Sequence, residues 1–176
     1  MTNPAYAREL ESTVDEAALA LASLPERVLA WRPTPTAWSV KQIIGHLIDS
    51  AANNHQRFVR AASDPDLVFP GYAQDEWVRV QAYDRAPWPE LLSLWRSYNR
   101  HLARVMAAVP LEVRTRKRAR HNLHEIGWNS YAADAPASLD DLMDDYVRHL
   151  RHHLAQISER VRAATGASPA DRGSDA

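Results

Sequence analysis

The stretch SLDDLMDDYVRHLRHHLAQISERV, residues 138–161, decides the fold. Its apolar side chains Met143, Val147, Leu150, Leu154, Ile157 and Val161 recur by alternating fours and threes, the seam of a helix that faces a bundle core. Ser138 stands before the run and Asp141 three residues on, the pattern of a capping box. The helix is predicted to continue to about Thr165, where Gly166 releases it. Beside the seam lie His149 and His153, one turn apart and about 40° from each other around the axis, so that two imidazoles can share one cation. Tyr146 shares that flank. His152 falls roughly 60° to the other side of His149, toward solvent.

Outward from this helix the same 3.6-residue period recurs three times. A first helix is predicted over Pro4–Leu24, with Pro25 opening a short extension that stops at Pro33-Thr34-Pro35. A second begins at Ser39, whose spacing to Gln42 is again a capping box, and runs to about Ala62 before Asp64-Pro65 closes it. A long connection through Phe69-Pro70-Gly71 carries a short helix around Asp75–Tyr83. Pro87 and Pro89 start the third long helix, with Leu91, Leu92, Leu94, Trp95, Tyr98, Leu102, Val105 and Met106 along it, and Pro110 ends it. Residues 110–137 form a second long connection. The reading is an all-α four-helix bundle in one domain over residues 1–165, followed by a disordered tail over 166–176. Connections of this length can cross an end of the bundle, so a plain up-down-up-down order does not follow.

Composition narrows the chemistry. With 176 residues, 45% apolar and 24% charged, the chain has the balance of an ordinary globular protein. A net charge of -1 excludes the basic excess of a dedicated nucleic-acid binder. Acidic Glu9, Glu11, Asp15 and Glu16 precede the Ala- and Leu-rich stretch 17–22, the wrong charge for a signal peptide, and no apolar run reaches membrane-spanning length. A soluble, cytoplasmic protein is expected. There is no cysteine, so thiolate catalysis and thiolate metal sites are excluded, and the eight histidines and the carboxylates are the strong ligands left.

A third ligand to join His149 and His153 is sought on the second helix. His46 stands there, with Ser50, Asn53 and Arg57 within roughly 40° of it, a polar strip beside the apolar Ile43, Leu47, Ala51 and Phe58. Such a strip is costly to bury unless it is paired or functional. His121, His124 and Glu125 form an alternative or outer ligand set on the second connection. The basic run Arg114, Arg116, Lys117, Arg118 and Arg120 reads as a solvated loop, or as a partner for an anionic cofactor. The tryptophans read as core and bundle-end packing, and His55 as a packed or interface side chain.

Two segments resemble the DinB-like superfamily, which includes the YfiT-like proteins. Residues 38–50 with Asn53, Asn54, His55, Gln56, Arg57 and Phe58 are similar to its second-helix motif. Asp145-Tyr146-Val147-Arg148-His149 with His152-His153-Leu154-Ala155-Gln156-Ile157 is similar to its last-helix motif. Together with Pro70-Gly71-Tyr72 and residues 122–128, the likeness spans nearly the whole folded chain. The resemblance implies an up-down-down-up bundle, usually a homodimer, holding zinc or nickel on three histidines at positions matching His46, His149 and His153. It also implies enzymes of two kinds, metal-dependent hydrolases and transferases or isomerases that use bacillithiol, mycothiol or glutathione. The leading expectation is thiol transfer to a small electrophile, with Asn53, Arg57 and Tyr146 lining the mouth. The alternatives are metal-assisted hydrolysis, and a non-catalytic bundle that binds a metal or small ligand. No Glu or Asp separates His149 from His153, so the built-in general base of metalloproteases is absent; which residues are catalytic is not readable.

Overall fold

A computed structural model describes residues 4–166. Its long helices are α1 (Ala5–Leu21), α3 (Val40–Ser63), α5 (Trp88–Ala108) and α8 (Leu139–Thr165). Between them lie the short α2 (Glu26–Leu29), α4 (Gln74–Gln81), α6 (Leu111–Thr115) and α7 (Leu123–Ile126). Both expected capping boxes are present: the Ser39 and Ser138 hydroxyls accept from the amides of Gln42 and Asp141, whose side chains accept in return from the serine amides. Gly166 closes α8 in the left-handed conformation with φ 72°. Of the tail expected over 166–176, Gly166 is this cap, and residues 167–176 lie outside the described residues.

Side-chain contacts fix the helix directions. Tyr6 near the start of α1 donates to Asp140 near the start of α8, so those two run the same way. Trp88, opening α5, donates its indole N–H to the Leu21 carbonyl that closes α1, so α5 runs opposite to α1. Arg160 late in α8 donates to the carbonyl of Trp38, just before α3, and the Phe58 and Tyr146 rings meet edge-on 5.9 Å apart; α3 therefore opposes α8. The order is up-down-down-up, with α3 and α5 parallel neighbours. The core is filled from all four: Leu10 and Val14, Ile43, Leu47 and Phe58, Trp95, Leu102 and Met106, and Met143, Val147, Leu150 and Ile157 are buried. Leu154 and Val161 complete the seam at its half-buried edge.

Three local expectations are corrected. The first helix stops at Leu21, not Leu24, because a residue preceding proline is driven out of the α region, here Leu24 before Pro25. The second connection is not bare loop but carries α6 and α7. The basic run is a solvated loop only in part: Arg116, Lys117 and Arg120 are exposed, but two of its cations are not. Arg114 is buried against Tyr6, Asp140 and the Val109 carbonyl. Arg118 is buried with its guanidinium on the Ala61 carbonyl, while Lys117 pairs with Asp141 and Arg120 with Asp66. These cations clasp the connection to the ends of α1, α3 and α8, so the run is held by the protein's own acceptors. Backbone pairing there is confined to two isolated bridges, Leu67 with His121 and Arg118 with Ala137.

The first connection is pulled tight against α3 by one close approach. Ala82 ends α4 in the left-handed region at φ 50°, a conformation that an L-residue adopts at a cost. The turn directs the Tyr83 ring onto Gly45, where a Cβ would lie 2.0 Å from the ring, and the Tyr83 hydroxyl donates to Asp49 at 2.6 Å. Gly45→Ala should therefore destabilise the fold. The gain of about 1 kcal/mol in helix propensity is outweighed by an overpacking penalty of about 1–3 kcal/mol once the cost of displacing the bonded Tyr83 is added. Urea unfolding would show a lowered midpoint; an unchanged or raised midpoint would mean that the ring yields freely.

Candidate metal centre

Antiparallel packing sets the second turn of α3 against the middle of α8 and brings His46, His149 and His153 together. One ligand nitrogen from each lies within 4.8 Å of the other two, and among the described residues this is the only such group of three histidines or carboxylates. The Nε2 atoms of His149 and His153 are 3.0 Å apart, and those of His46 and His149 3.3 Å apart. His46 is fully buried, and Trp38 covers its ring at 4.9 Å between centroids. His153 is buried and His149 half-buried at the wall of a cavity.

Hydrogen bonds select the tautomer of one member. Gln156 places its carbonyl oxygen 3.0 Å from His153 Nδ1 and its amide nitrogen 2.9 Å from His152 Nε2. An amide oxygen only accepts, so His153 carries its proton on Nδ1 and turns the Nε2 lone pair toward the cluster. His149 Nδ1 stands 3.5 Å from the Ser50 hydroxyl, whereas His46 Nδ1 is buried with no partner. Burial holds all three imidazoles neutral. Desolvation, reinforced by the neighbouring imidazoles, takes His46 from its ordinary 6.5 to about 3 and His149 to about 2. His153 falls to about 4, with Gln156 opposing the shift. Neutral imidazoles with converging nitrogens cannot all satisfy one another, since each holds a single proton; this donor set fits a borderline divalent cation.

A cavity of about 340 Å³ opens beside the cluster. Ser50, Asn54 and Arg57 of α3 line one side, Asp145, Tyr146, His149, His152 and His153 of α8 the other, and Tyr72 and Trp128 of the two connections close its ends. Asp145 is buried, and its carboxylate is consumed by the second connection: it accepts from the amides of Trp128 and Asn129 at 2.9 and 2.8 Å and from the Asn129 side chain. That latch holds Trp128 over the mouth, its ring 5.2 Å from that of His152. Tyr72 is pushed up to about 12, first by burial and then by Asp49.

The structure sorts the sequence-predicted residues. His46, His149, His153, Arg57 and Tyr146 come to one place, although Tyr146 turns its hydroxyl away from the histidines to donate to Asn99. Asn53 does not join them: it donates to the Asp49 carbonyl of its own helix and lines a separate cavity of about 290 Å³ with Phe69, Pro70 and Trp77. His121 belongs to the connection, one ring nitrogen within 2.8 Å of the Ala135 carbonyl and the other accepting from the Leu123 amide. His124 and Glu125 are exposed and 3.6 Å from each other, so neither joins the cluster. His152 is exposed as expected, yet stands on the cavity wall. His55 is packed, as read from sequence, on Tyr98 and on His101. Trp88 and Trp95 are core, whereas Trp77 and Trp128 are exposed at the mouths of the two cavities. Asn54, Tyr72, Asp145 and Gln156 stand within the family-like motifs, yet sequence reading gave them no role; helix spacing marks Gln156, three residues after His153 on the same face.

The DinB superfamily model matches residues 9–157. The chain belongs to the DinB superfamily. It is 23% identical over 153 residues to a Bacillus cereus protein named "Putative metal-dependent hydrolase", covering 87% of this chain and 82% of that one, and equally similar to a Bacillus thuringiensis protein of the same description. Among solved structures it resembles Bacillus subtilis YfiT, described as "a probable metal-dependent hydrolase with an unusual four-helix bundle topology". There the TM-score is 0.74 and the identity 19%, over 93% of this chain and 87% of that one. The likeness carries the fold. Among the described residues no helix is long and apolar enough to cross a membrane.

Buried neutral histidines make the metal-free fold acid-sensitive in a defined window. Below pH 6.5 the unfolded chain protonates these three side chains while the folded chain does not, until pH reaches about 4 for His153 and lower for the others. The unfolded state then binds more protons, so stability falls as pH falls through that range and is fully regained above 6.5. The melting temperature of metal-free protein should drop between pH 7 and pH 4.5, and drop less in a His46→Gln/His149→Gln double variant. Equal slopes for the two proteins would show that the imidazoles are already charged in the fold.

Proposed function

We propose that the chain is a metal-dependent hydrolase of small molecules, with one divalent cation held by His46, His149 and His153. The observation that carries this reading is the convergence of three neutral imidazole nitrogens beside a cavity that a small molecule can enter. Zinc is the first expectation for three imidazoles and nickel the next. When bound, such an ion supplies Lewis-acid chemistry, polarising a carbonyl and bringing the pKa of water toward neutrality. The names of the relatives favour hydrolysis over the thiol transfer that led the sequence expectations, and nothing in the cavity speaks for a thiol cofactor.

The chain's own residues do the rest. Trp128, held by the Asp145 latch, narrows the mouth and limits water access. Gln156 fixes the His153 proton on Nδ1 and keeps His152 from turning inward, because its amide occupies His152 Nε2. Both Asp145 oxygens accept from backbone amides, so among the described residues the wall offers no free carboxylate as general base. Tyr146 is a buried wall, its hydroxyl committed to Asn99.

Two measurements test the proposal. Metal content after reconstitution should fall, with affinity weakened about 10-fold or more, for His46→Ala, His149→Ala, His153→Ala and also Gln156→Leu, since outer partners of ligating histidines carry effects of that size. His152→Ala should leave affinity unchanged, and full binding by His46→Ala would remove α3 from the site. Hydrolysis of a panel of activated esters and anilides should depend on the metal, stop with a chelator and be indifferent to added glutathione. Turnover that appears only with a thiol would replace hydrolysis by transfer.

A further inference from the structure

Among the described residues, Arg57 is the one arginine or lysine on the wall of the histidine cavity, and it is only 6% exposed. Among the described residues no carboxylate lies within ion-pairing distance of it. Its guanidinium donates to neutral oxygens, to the Pro70 carbonyl at 3.1 Å and to Asn54 at 3.5 Å. Asp145, the acid on the same wall, acts on Arg57 only through space, its oxygens being taken by the Trp128 and Asn129 amides. A buried cation without a counter-ion is unfavourable, and burial accordingly lowers the Arg57 pKa. The surroundings keep it in place regardless: Asn54, which accepts from Arg57, is itself held by the Ser50 carbonyl.

Resting on the hydrolase reading above, we propose that Arg57 binds a carboxylate of the substrate, so that the substrate class is a small ester or amide bearing a carboxylate remote from the scissile bond. Ser50 lies beside His149, and Arg57 is seven residues further along α3, a rise of about 10 Å. On α8 an equal step of about 10 Å back from His149 reaches Leu142, which also lines the cavity. The carboxylate and the reacting carbonyl therefore occupy opposite ends of one small molecule. A planar guanidinium with donors to spare suits a carboxylate, which it can grip with two parallel bonds. A single positive charge matches a monoanion better than a phosphate dianion.

Arg57 also borders the neighbouring cavity, where the exposed Arg60 stands beside it, so the test must tell the two sides apart. Zinc-loaded protein is titrated calorimetrically with adipic acid monohydroxamate and with its methyl ester, which share the metal-binding hydroxamate and differ only in the terminal carboxylate. The free acid should bind about 10- to 100-fold tighter, the range of a charge-assisted pair. Arg57→Gln should abolish that preference while leaving the neutral probe's affinity and the zinc content unchanged, Arg57→Lys should keep part of it, and Arg60→Gln should keep all of it. Equal binding of the two probes by the unaltered protein, or a preference that survives Arg57→Gln or is lost in Arg60→Gln, overturns the proposal. If neither hydroxamate binds, the metal reading fails, and the Arg57 proposal is then decided on metal-free protein with monomethyl adipate against dimethyl adipate by thermal shift. A shift with the anion alone that vanishes in Arg57→Gln upholds it, and equal or absent shifts reject it.

Discussion

Everything at the site depends on α3 lying antiparallel against α8 at a register that sets Ser50 beside His149. Three contacts pin that register along the helix pair: Arg160 on the Trp38 carbonyl at one end, the His149 and Ser50 contact in the middle, and the Phe58 and Tyr146 rings beyond it. One helical turn of slippage would move His46 about 5.4 Å from its partners and dissolve the cluster. The up-down-down-up order then imposes a second constraint. Because α3 and α5 run parallel, the chain between them must travel back along the bundle, and in doing so it lays Pro70, Tyr72 and Trp77 beside α3. The connection before α8 joins two helix termini at the same end of the bundle, so helix direction does not impose its length; it climbs beside α8 as far as Asp145 and brings Trp128. One wall of the cavity is thus a consequence of the topology, and the other comes from a connection longer than the topology demands.

The polar residues of α3 follow the same logic. Lys41, His46, Asp49, Ser50, Asn54 and Arg57 are all buried on a helix whose opposite face is apolar. Those toward α4 are partnered locally, though not completely: Asp49 Oδ1 takes the Tyr83 hydroxyl and the Gln81 amide while Oδ2 is left without a partner, and Lys41 pairs with Glu26. Those toward α8 are not, with His46 Nδ1 unpartnered and Arg57 lacking a counter-ion. Buried polar groups are normally bonded. The two exceptions on this side of α3 lie at or beside one cavity, and the apolar seam of α8 supplies the burial that lets the fold tolerate them.

Legibility in the sequence divides along the same physical line. Helices, caps and seam were readable because they depend on local spacing, and His149 with His153 because four residues along one helix is itself a distance. His46 was readable as a polar interruption of an apolar face, though its meeting with α8 came from resemblance. Asn53 shows where the method fails. At 100° per residue it sits about 20° from His46 around α3, closer than Asn54 at about 80°, yet Asn54 lines the histidine cavity and Asn53 does not. The angle places both near the strip; only the position of α8 decides which edge of the strip faces the cluster. The connections were opaque for the same reason. Nothing in the order of residues 71–83 announces a left-handed Ala82 that swings Tyr83 onto Gly45, and the basic run 114–120 looks like solvent-facing charge until its acceptors at the helix ends are in view.

The electrostatics of the cavity then set its chemical preference. Three imidazoles are held neutral by burial, so a divalent cation placed on them is not compensated by its ligands, unlike one held by carboxylates or thiolates. Asp145, among the described residues the one carboxylate on the wall, accepts from the backbone amides of residues 128 and 129 and fixes the loop, while its charge acts on Arg57 through space. Arg57 adds a further positive charge. With a cation on the histidines, such a cavity would be positive at both ends with Asp145 between them, the field lines concentrated by the apolar bundle around it. Neutral molecules gain little from such a field, cations are repelled, and anions small enough to fit are drawn in. A metal-loaded cavity of this kind would select by charge before any single contact selects by shape.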